Sequence, residues 1–333
     1  MNNQILLSIC IPTYNRAEYL NQTIQSIVNS NGFGNQVEIV ISDNCSTDNT
    51  ESICNQWTNK YQNIKYFRQS QPTHIADQNF IDALTFATGQ YLKLNNDTVL
   101  FRKETIKYML NNIKDAIKTK NPLFFYINYL NNKNSISICY DLNSFVKKTS
   151  YFVTWLSHFG CWKEHFDNLS QKNKAIKIKL MQTDWSFRLV SKYKKTIICF
   201  SDLYDSVILQ NKSGGYNILE IFSLNYLSIF KEYMNNCLIN KKTYSLEKKK
   251  LLFRFLMPSY IMSIYQHNTH KFSIDKPLVY LKEYWHDWYF YLSFLLIIPY
   301  FIICGFIFIV KKTTSHNLKL YNFLRKIKAR IGI

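Results

Sequence analysis

The sequence predicts an α/β fold with a mostly parallel central sheet flanked by helices, followed by a helical C-terminal extension of different character. Apolar runs of strand length alternate with segments of helical period over the first hundred residues. Three of these runs end in polar clusters, Thr13–Arg16, Asp43–Asp48 and Asn95–Asp97. The extension is announced by Tyr289–Val310, 22 consecutive residues without a charge.

Leu6–Ile11 is a short apolar run ended by Pro12, the pattern of a buried strand. Asn15 to Glu18 has the spacing of a capping box and opens a helix with Leu20, Ile24, Ile27 and Val28 on its apolar positions. Val37–Ile41 predicts the second strand, and Asp48 to Glu51 caps the helix after it. Ile64–Phe67 predicts a third strand, and Ile75–Ala87 a helix through Phe80, Leu84 and Ala87, stopped by Gly89. Tyr91–Leu94 predicts a fourth strand running into Asn95, Asn96 and Asp97. From about 121 to 240 the periodicity is weaker. Leu123–Tyr129 and Thr196–Phe200 predict strands, Thr183–Tyr193 a helix, and Ile218–Tyr233 a helix after the turn Ser213-Gly214-Gly215.

In an open α/β sheet, ligands bind outside the carboxyl ends of the strands. One polar cluster there is an ordinary loop; three at successive strand ends predict a site. Composition narrows the chemistry. The eight cysteines form no CxxC pair, which argues against a zinc site and fits a reducing cytoplasm. The N-terminus lacks a basic segment ahead of its short apolar run, so no signal peptide is expected. The net charge of +19 is unevenly placed: residues 1–120 hold 11 Lys+Arg against 10 Asp+Glu, so nearly all the surplus lies beyond them. That surplus brackets the apolar stretch and no RNA- or DNA-binding motif appears, so an anionic membrane surface is expected as a partner and nucleic acid is not.

Ser8–Arg16, Val40–Asp48 and Gly89–Asp97, in this order and spacing, resemble the family 2 glycosyltransferases. The resemblance covers roughly residues 5–110. It continues more faintly through Thr183-Asp184-Trp185 and Asn211–Asn217, where the sequence is similar to enzymes of surface-polysaccharide assembly, those of capsule and lipopolysaccharide among them. It implies a GT-A fold, Rossmann-like. Residues 1–240 would form the transferase domain, with 1–120 as its nucleotide-sugar half and 121–240 as its acceptor half. Residues 241–333 would form a helical membrane-associating region with apolar segment 289–310 and basic tail 311–333.

The resemblance also implies roles. Pro12, Thr13, Tyr14 and Arg16 would touch the nucleotide of the donor, and Asp43 would accept a hydrogen bond from its base, usually uracil. Arg68 either meets a phosphate or is a solvated surface arginine. The family's acidic motif after the fourth strand is Asp-x-Asp, whose last carboxylate binds Mn²⁺ or Mg²⁺. Here it reads Asn95-Asn96-Asp97, which leaves Asp97 as the metal ligand and Asn95 as a ribose contact, at reduced negative charge. Asp184, at the predicted helix start, would be the general base of an inverting displacement, with Glu164 and Asp167 in reserve. Trp155, His158 and Trp162 would shape the acceptor pocket, a core role for both tryptophans being the competing reading.

The expected function is therefore transfer of a sugar from a nucleotide-diphosphate sugar, UDP-linked by analogy, to a hydroxyl of a glycan or polyprenyl-diphosphate-linked saccharide. The substitution at Asn95 favours the alternative, a weak or inactive sugar-nucleotide-binding or membrane scaffold protein. The expected location is the cytoplasmic face of the inner membrane, peripheral or monotopic. Basic residues on both sides of 289–310, with Pro299 and Gly305 inside it, argue for a re-entrant or interfacial hairpin rather than a single span.

Overall fold

The computed structural model describes residues 4–73, 77–128, 134–207, 216–265 and 273–295, with residues 299 and 302. The chain divides into two units, Met1–Ile208 and Leu209–Ile333.

The first unit opens in strict alternation: β1 (Leu7–Thr13), α1 (Ala17–Val28), β2 (Val37–Asp43), α2 (Thr50–Lys60), β3 (Ile64–Arg68), α3 (Gln78–Phe86) and β4 (Tyr91–Leu94). It continues through β5 (Val99–Phe101), α4 (Thr105–Ala116), β6 (Leu123–Ile127), β7 (Ser135–Cys139) and α5 (Leu142–Thr149). Two 3₁₀ turns, Ser150–Thr154 and Leu156–His158, lead to β8 (Gly160–Trp162) and α6 (Lys163–Asp167). A third, Ile176–Ile178, precedes α7 (Met181–Lys192), β9 (Thr196–Ser201) and β10 (Tyr204–Ser206).

The main sheet has the order β3-β2-β1-β4-β8. Its first four strands are parallel, and β8 closes the edge antiparallel to β4. Every residue of β1 and β2 is buried, as expected of central parallel strands covered on both faces. Leu7, Ile9 and Ile11 of β1 and Val37, Ile39 and Ile41 of β2 join Tyr91, Phe125 and Trp162 in one core. A three-stranded sheet, β6-β9-β7, and a two-stranded one, β10-β5, complete the unit.

Register decides what meets at the carboxyl edge. Thr13 pairs with Asp43 and Asp43 with Arg68, so these three residues stand in one row across three strands. Pairing of β1 with β4 stops at Cys10–Leu94. Beyond that point one side of β1 has no ladder partner, which is where Pro12, lacking an N–H, is tolerated. The strand therefore continues through Pro12 to Thr13, two residues past its expected end at Ile11.

The opposite edge is held by a buried carboxylate. Glu38 accepts from Ser8 Oγ at 2.6 Å, from the Thr88 N–H and hydroxyl at 2.6 and 2.9 Å, and pairs with Lys65 at 2.8 Å. Gly89 lies so close that an added Cβ would meet Ser8 Oγ at 2.5 Å, so only glycine fits there.

The expected capping box at Asn15 does not form. Asn15 is left-handed (φ 51°), and its side-chain oxygen accepts from the Thr47 N–H at 2.7 Å. The cap of α1 comes instead from Asp48, which accepts from the Ala17 N–H at 3.0 Å. Asp48 also accepts from the N–H and hydroxyl of Thr50 at 3.0 and 2.5 Å, the capping duty expected of it at α2.

The second unit is helical. A π-helical segment, Glu220–Tyr226, runs into α8 (Leu227–Asn235), followed by α9 (Lys241–Leu251), a π-helical segment Leu252–Leu256, α10 (Met257–Tyr265), α11 (Pro277–Tyr280) and α12 (Trp288–Leu295). The domain boundary expected at 240 is placed earlier, after Ile208. The physical reason is that the 218–235 helix packs against the C-terminal helices: Tyr226 donates to Glu247 at 3.0 Å and Ser223 to the Tyr280 carbonyl. Among the described residues no helix is long and apolar enough to cross a membrane. Asn211–Gly215, residues 296–310 apart from Pro299 and Ile302, and the tail 311–333 lie outside the described residues, and with them most of the apolar segment.

Candidate active site

The site grows from the carboxyl end of β1. Thr13 Oγ1 donates to Asp97 Oδ2 at 2.9 Å, and Arg16 Nη1 to Asp97 Oδ1 at 2.9 Å. The Asp97 carbonyl accepts from Thr23 at 2.9 Å, which fixes the turn to α1. Asp97 is buried, and burial raises its pKa against the opposing pull of Arg16 and Thr13. Asn95 extends the parallel ladder by one bond, its N–H donating to the Cys10 carbonyl at 2.9 Å. Its side-chain amide donates to the carbonyls of Asn96 and Val99 at 2.9 and 3.2 Å, leaving Asn95 Oδ1 buried without a partner.

The second strand end supplies Asp43. It is fully buried: Oδ1 accepts from the Ser46 N–H at 3.0 Å and its hydroxyl at 2.5 Å, and Oδ2 from the Tyr66 hydroxyl at 2.7 Å. In this arrangement Asp43 organises the loop after β2, with both carboxylate oxygens already engaged. Arg68 lies over the same loop, 3.8 Å from Asp43 and donating to the Ser46 carbonyl at 2.9 Å, with about a third of its side chain exposed. Pro12 is buried and Tyr14 half exposed. Asn79 in the first turn of α3 locks the two strand ends together, donating to the carbonyls of Ser42 and Thr13 at 2.8 and 3.3 Å.

The turn at 155–159 borders the Asn95–Asp97 loop. Ser157 Oγ accepts from the Asn96 N–H at 2.9 Å. Buried Lys93 pins the turn by donating to the carbonyls of Leu94, Ser157 and Phe159, and burial lowers its pKa to about 7. Of the residues expected to shape an acceptor pocket, Trp155 is partly buried, edge-on to His158 and Tyr204. His158 is sealed and satisfied. Nδ1 donates to the Phe152 carbonyl at 2.8 Å, Nε2 accepts from the Ile127 N–H at 3.3 Å, and burial holds its pKa down to about 3. Trp162 is a core residue. It is fully buried in a T-shaped contact with Tyr91, and its indole N–H donates to the Asn121 carbonyl at 2.8 Å. Of these three only Trp155 keeps exposed surface, and it too packs against the core.

Asp184 sits in the first turn of α7, buried, with Oδ2 3.3 Å from Arg188 Nη1. Arg188 is itself held by the Ser170 carbonyl. Glu164 and Asp167, the reserves, are exposed and paired to Lys120 and Lys163. Thr13, Arg16 and Asp97 are thus joined directly, Asp43 and Arg68 by register, and Asn95 and Asn96 by the β4 end. Tyr66, Asn79 and Ser157 were not legible: each is an isolated polar residue that acquires a role only through strand register or a long-range turn.

Among the described residues no group of three or more His, Cys, Asp or Glu side chains could hold a metal ion. The donor set fits a divalent cation in one way. Asp97 presents a carboxylate at the strand ends, held by Thr13 and Arg16, and two residues earlier Asn95 Oδ1 is a neutral oxygen buried without a partner. Such a cation would take one carboxylate here and complete its shell from diphosphate oxygens and water.

The alternating α/β unit with acidic and basic groups at its carboxyl edge is of the GT-A-like class. Residues 8–169 match the family model for glycosyl transferase family 2. It is 42% identical over 87 residues to the abequosyltransferase RfbV of Salmonella typhimurium, covering 26% of each chain. It is 28% identical over 100 residues to the poly(ribitol-phosphate) beta-N-acetylglucosaminyltransferase TarS of Staphylococcus aureus, covering 30% of this chain and 17% of that one. The match to RfbV thus spans about a quarter of that relative's length. The fold is similar to the crystal structure of S. aureus TarS 1-349 in complex with UDP, with TM-score 0.56, 15% identity and coverage of 79% of this chain and 74% of that one. It is also similar to the mannosyltransferase PcManGT from Pyrobaculum calidifontis in complex with GDP-Man and Mn²⁺, with TM-score 0.52, 12% identity and coverage of 94% and 88%.

Proposed function

We propose that this chain is an inverting glycosyltransferase. It moves a sugar from a nucleotide-diphosphate sugar, UDP-linked, to a hydroxyl of a glycan or polyprenyl-diphosphate-linked saccharide in surface-polysaccharide assembly. The observation that carries this reading is the clamp of Thr13 and Arg16 on Asp97 at the carboxyl ends of β1 and β4. The names of RfbV and TarS, and the UDP bound to TarS, support the reaction class and the nucleotide.

The roles follow from charge. Arg16 and Arg68 offer guanidinium groups to the diphosphate, where negative charge grows as the bond to the anomeric carbon breaks. Asp43 and its loop receive the base, with Pro12, Thr13 and Tyr14 against the nucleotide and Asn95 and Asn96 at the ribose. Asp184 takes the proton of the acceptor hydroxyl as its oxygen bonds the anomeric carbon from the face opposite the leaving diphosphate. Trp155 offers an aromatic surface to the acceptor. Mn²⁺ or Mg²⁺, held by Asp97, would screen the diphosphate charge.

Asn95 favours a second reading, a binding or scaffold protein without turnover. A panel of UDP-, GDP- and dTDP-sugars, followed by nucleotide release with and without Mn²⁺, separates the two. Turnover lost in Asp97→Ala and Asp184→Ala supports the enzyme; donor binding with no release in the wild type supports the scaffold.

The C-terminal unit is proposed to rest on the cytoplasmic face of the inner membrane. Support comes from Trp285, Trp288, Tyr291, Leu292 and Leu295, all exposed, and from Lys249, whose ammonium lies 5.4 and 5.6 Å from the Trp288 and Tyr289 rings. Lysines beside exposed aromatics suit an anionic interface. Co-sedimentation with vesicles rich in phosphatidylglycerol but not with phosphatidylcholine alone is the expected result. Labelling of a cysteine placed near residue 325 from the periplasmic side would contradict the location.

A further inference from the structure

One oxygen of the Asp77 carboxylate has no hydrogen-bond partner in the fold. The residue occupies the position before α3, where aspartate ordinarily caps a helix, yet it makes no side-chain cap bond. It is 8% exposed, and its Oδ2 is buried with no hydrogen-bond partner. Burial, opposed by Lys179, pushes its pKa up to about 7. Such a group destabilises the fold around it, and a side chain retained only for packing or capping would be paired.

Its surroundings point to a ligand. Two residues on, Asn79 is bonded to the carbonyls of Thr13 and Ser42 and to the Ser42 hydroxyl. Asp77 is therefore anchored to the strand ends that carry the Thr13–Asp97 contact. Its electrostatic counterpart, Lys179, is left-handed at the end of the turn before α7, the helix that bears Asp184. Asp77 thus sits two residues from the side chain that ties the strand ends of the donor site, and it couples electrostatically to a lysine of the segment leading into Asp184. In a displacement the transferred sugar sits between the donor's diphosphate and the general base.

We propose that Asp77 is a specificity-determining residue whose carboxylate accepts a hydrogen bond from a hydroxyl of the donor's sugar ring. The inference rests on the transferase reading above. It assigns Asp77 to the sugar and not to the nucleotide or the metal, and it makes a donor lacking that hydroxyl a poor ligand.

The test compares binding of UDP, GDP and dTDP with binding of their glucose, N-acetylglucosamine and mannose conjugates, in wild-type protein, Asp77→Ala and Asp77→Asn. For the pair the wild type binds, Asp77→Ala is expected to weaken the sugar conjugate about tenfold relative to the bare diphosphate, the worth of one charge-assisted bond. Affinity for the bare diphosphate stays within about twofold. One monodeoxy form of the donor reproduces the loss in wild type and shows no further loss in Asp77→Ala. The melting temperature of Asp77→Asn is equal to or above that of wild type. Equal weakening of diphosphate and conjugate, or a melting temperature several degrees lower, would make Asp77 a structural residue and overturn the proposal. An unchanged ratio would overturn it while leaving the transferase reading intact; absence of any nucleotide binding by wild type would overturn both.

Discussion

Arg16 and Asp97, 81 positions apart in sequence, meet at 2.9 Å at the mouth of the main sheet. The guanidinium is about a third exposed while the carboxylate is buried, so the positive partner is the one a ligand reaches first. On the proposed function, an incoming diphosphate is expected to compete with Asp97 for Arg16 and to free a carboxylate oxygen. Asp97→Asn is expected to lower kcat/KM by about 100-fold or more, the usual cost of removing a charge-stabilising group. Arg16→Ala is expected to raise donor KM by about tenfold or more, the worth of a charge-assisted bond. Arg16→Lys recovers only part of that affinity because a point charge does not reproduce the guanidinium fork. Steady-state kinetics against the donor checks all three.

Trp155 and Trp162 are expected to respond in opposite ways. Trp162→Ala removes a sealed core side chain and a buried hydrogen bond, at a cost of about 3–5 kcal/mol. Trp155→Ala leaves the denaturation midpoint closer to wild type and raises acceptor KM instead. Urea denaturation alongside acceptor-dependence curves distinguishes the two.

These tryptophans also mark where the sequence was readable. The first half was legible because buried strands, β1, β2 and β4 at every residue, alternate with amphipathic helices, and β1 to β4 lie close to their expected positions. Beyond residue 95 the signals hold for β6, α7 and β9, which lie close to their expected positions, and fail elsewhere for physical reasons. β5, β8 and β10 are three residues each, too short for a period, and β7 is a largely exposed Ser-Ile-Ser-Ile-Cys edge. Whether an aromatic in such a segment faces core or cleft depends on register with a strand far away, as with Trp162 opposite Tyr91. The same limit hid Asp48 as the cap of α1, since a cap donated from another loop leaves no local pattern.

Asp48→Ala should therefore behave as a double cap deletion. It removes acceptors for the Ala17 and Thr50 N–H groups at once. At about 1 kcal/mol for each cap, a loss near 2 kcal/mol in chemical denaturation is expected. Asp48→Asn retains part of it through its amide oxygen.

Glu38 sets an acid limit on the fold. Desolvation pushes its pKa up, but hydrogen bonds from Lys65, Ser8 and Thr88 outweigh that and hold it below the ordinary value. With the folded pKa depressed, its stabilisation is complete above the unfolded carboxylate value of about 4.3 and is lost as pH falls through the folded value. Glu38→Gln is expected to melt lower than wild type at pH 7 and to show a smaller further loss on acidification below about pH 4.3. Melting curves across that range check the sign.

On the proposed function, Thr13, Arg16 and Asp97 form the diphosphate site of a sugar-transferring cleft. A crystal structure of the full chain with the nucleotide-diphosphate sugar that gives the highest turnover tests it most directly. The account predicts the diphosphate over the carboxyl ends of β1 and β4, with Arg16 turned from Asp97 onto a phosphate oxygen. A nucleotide bound elsewhere on the chain, with the Arg16–Asp97 pair intact, would contradict it.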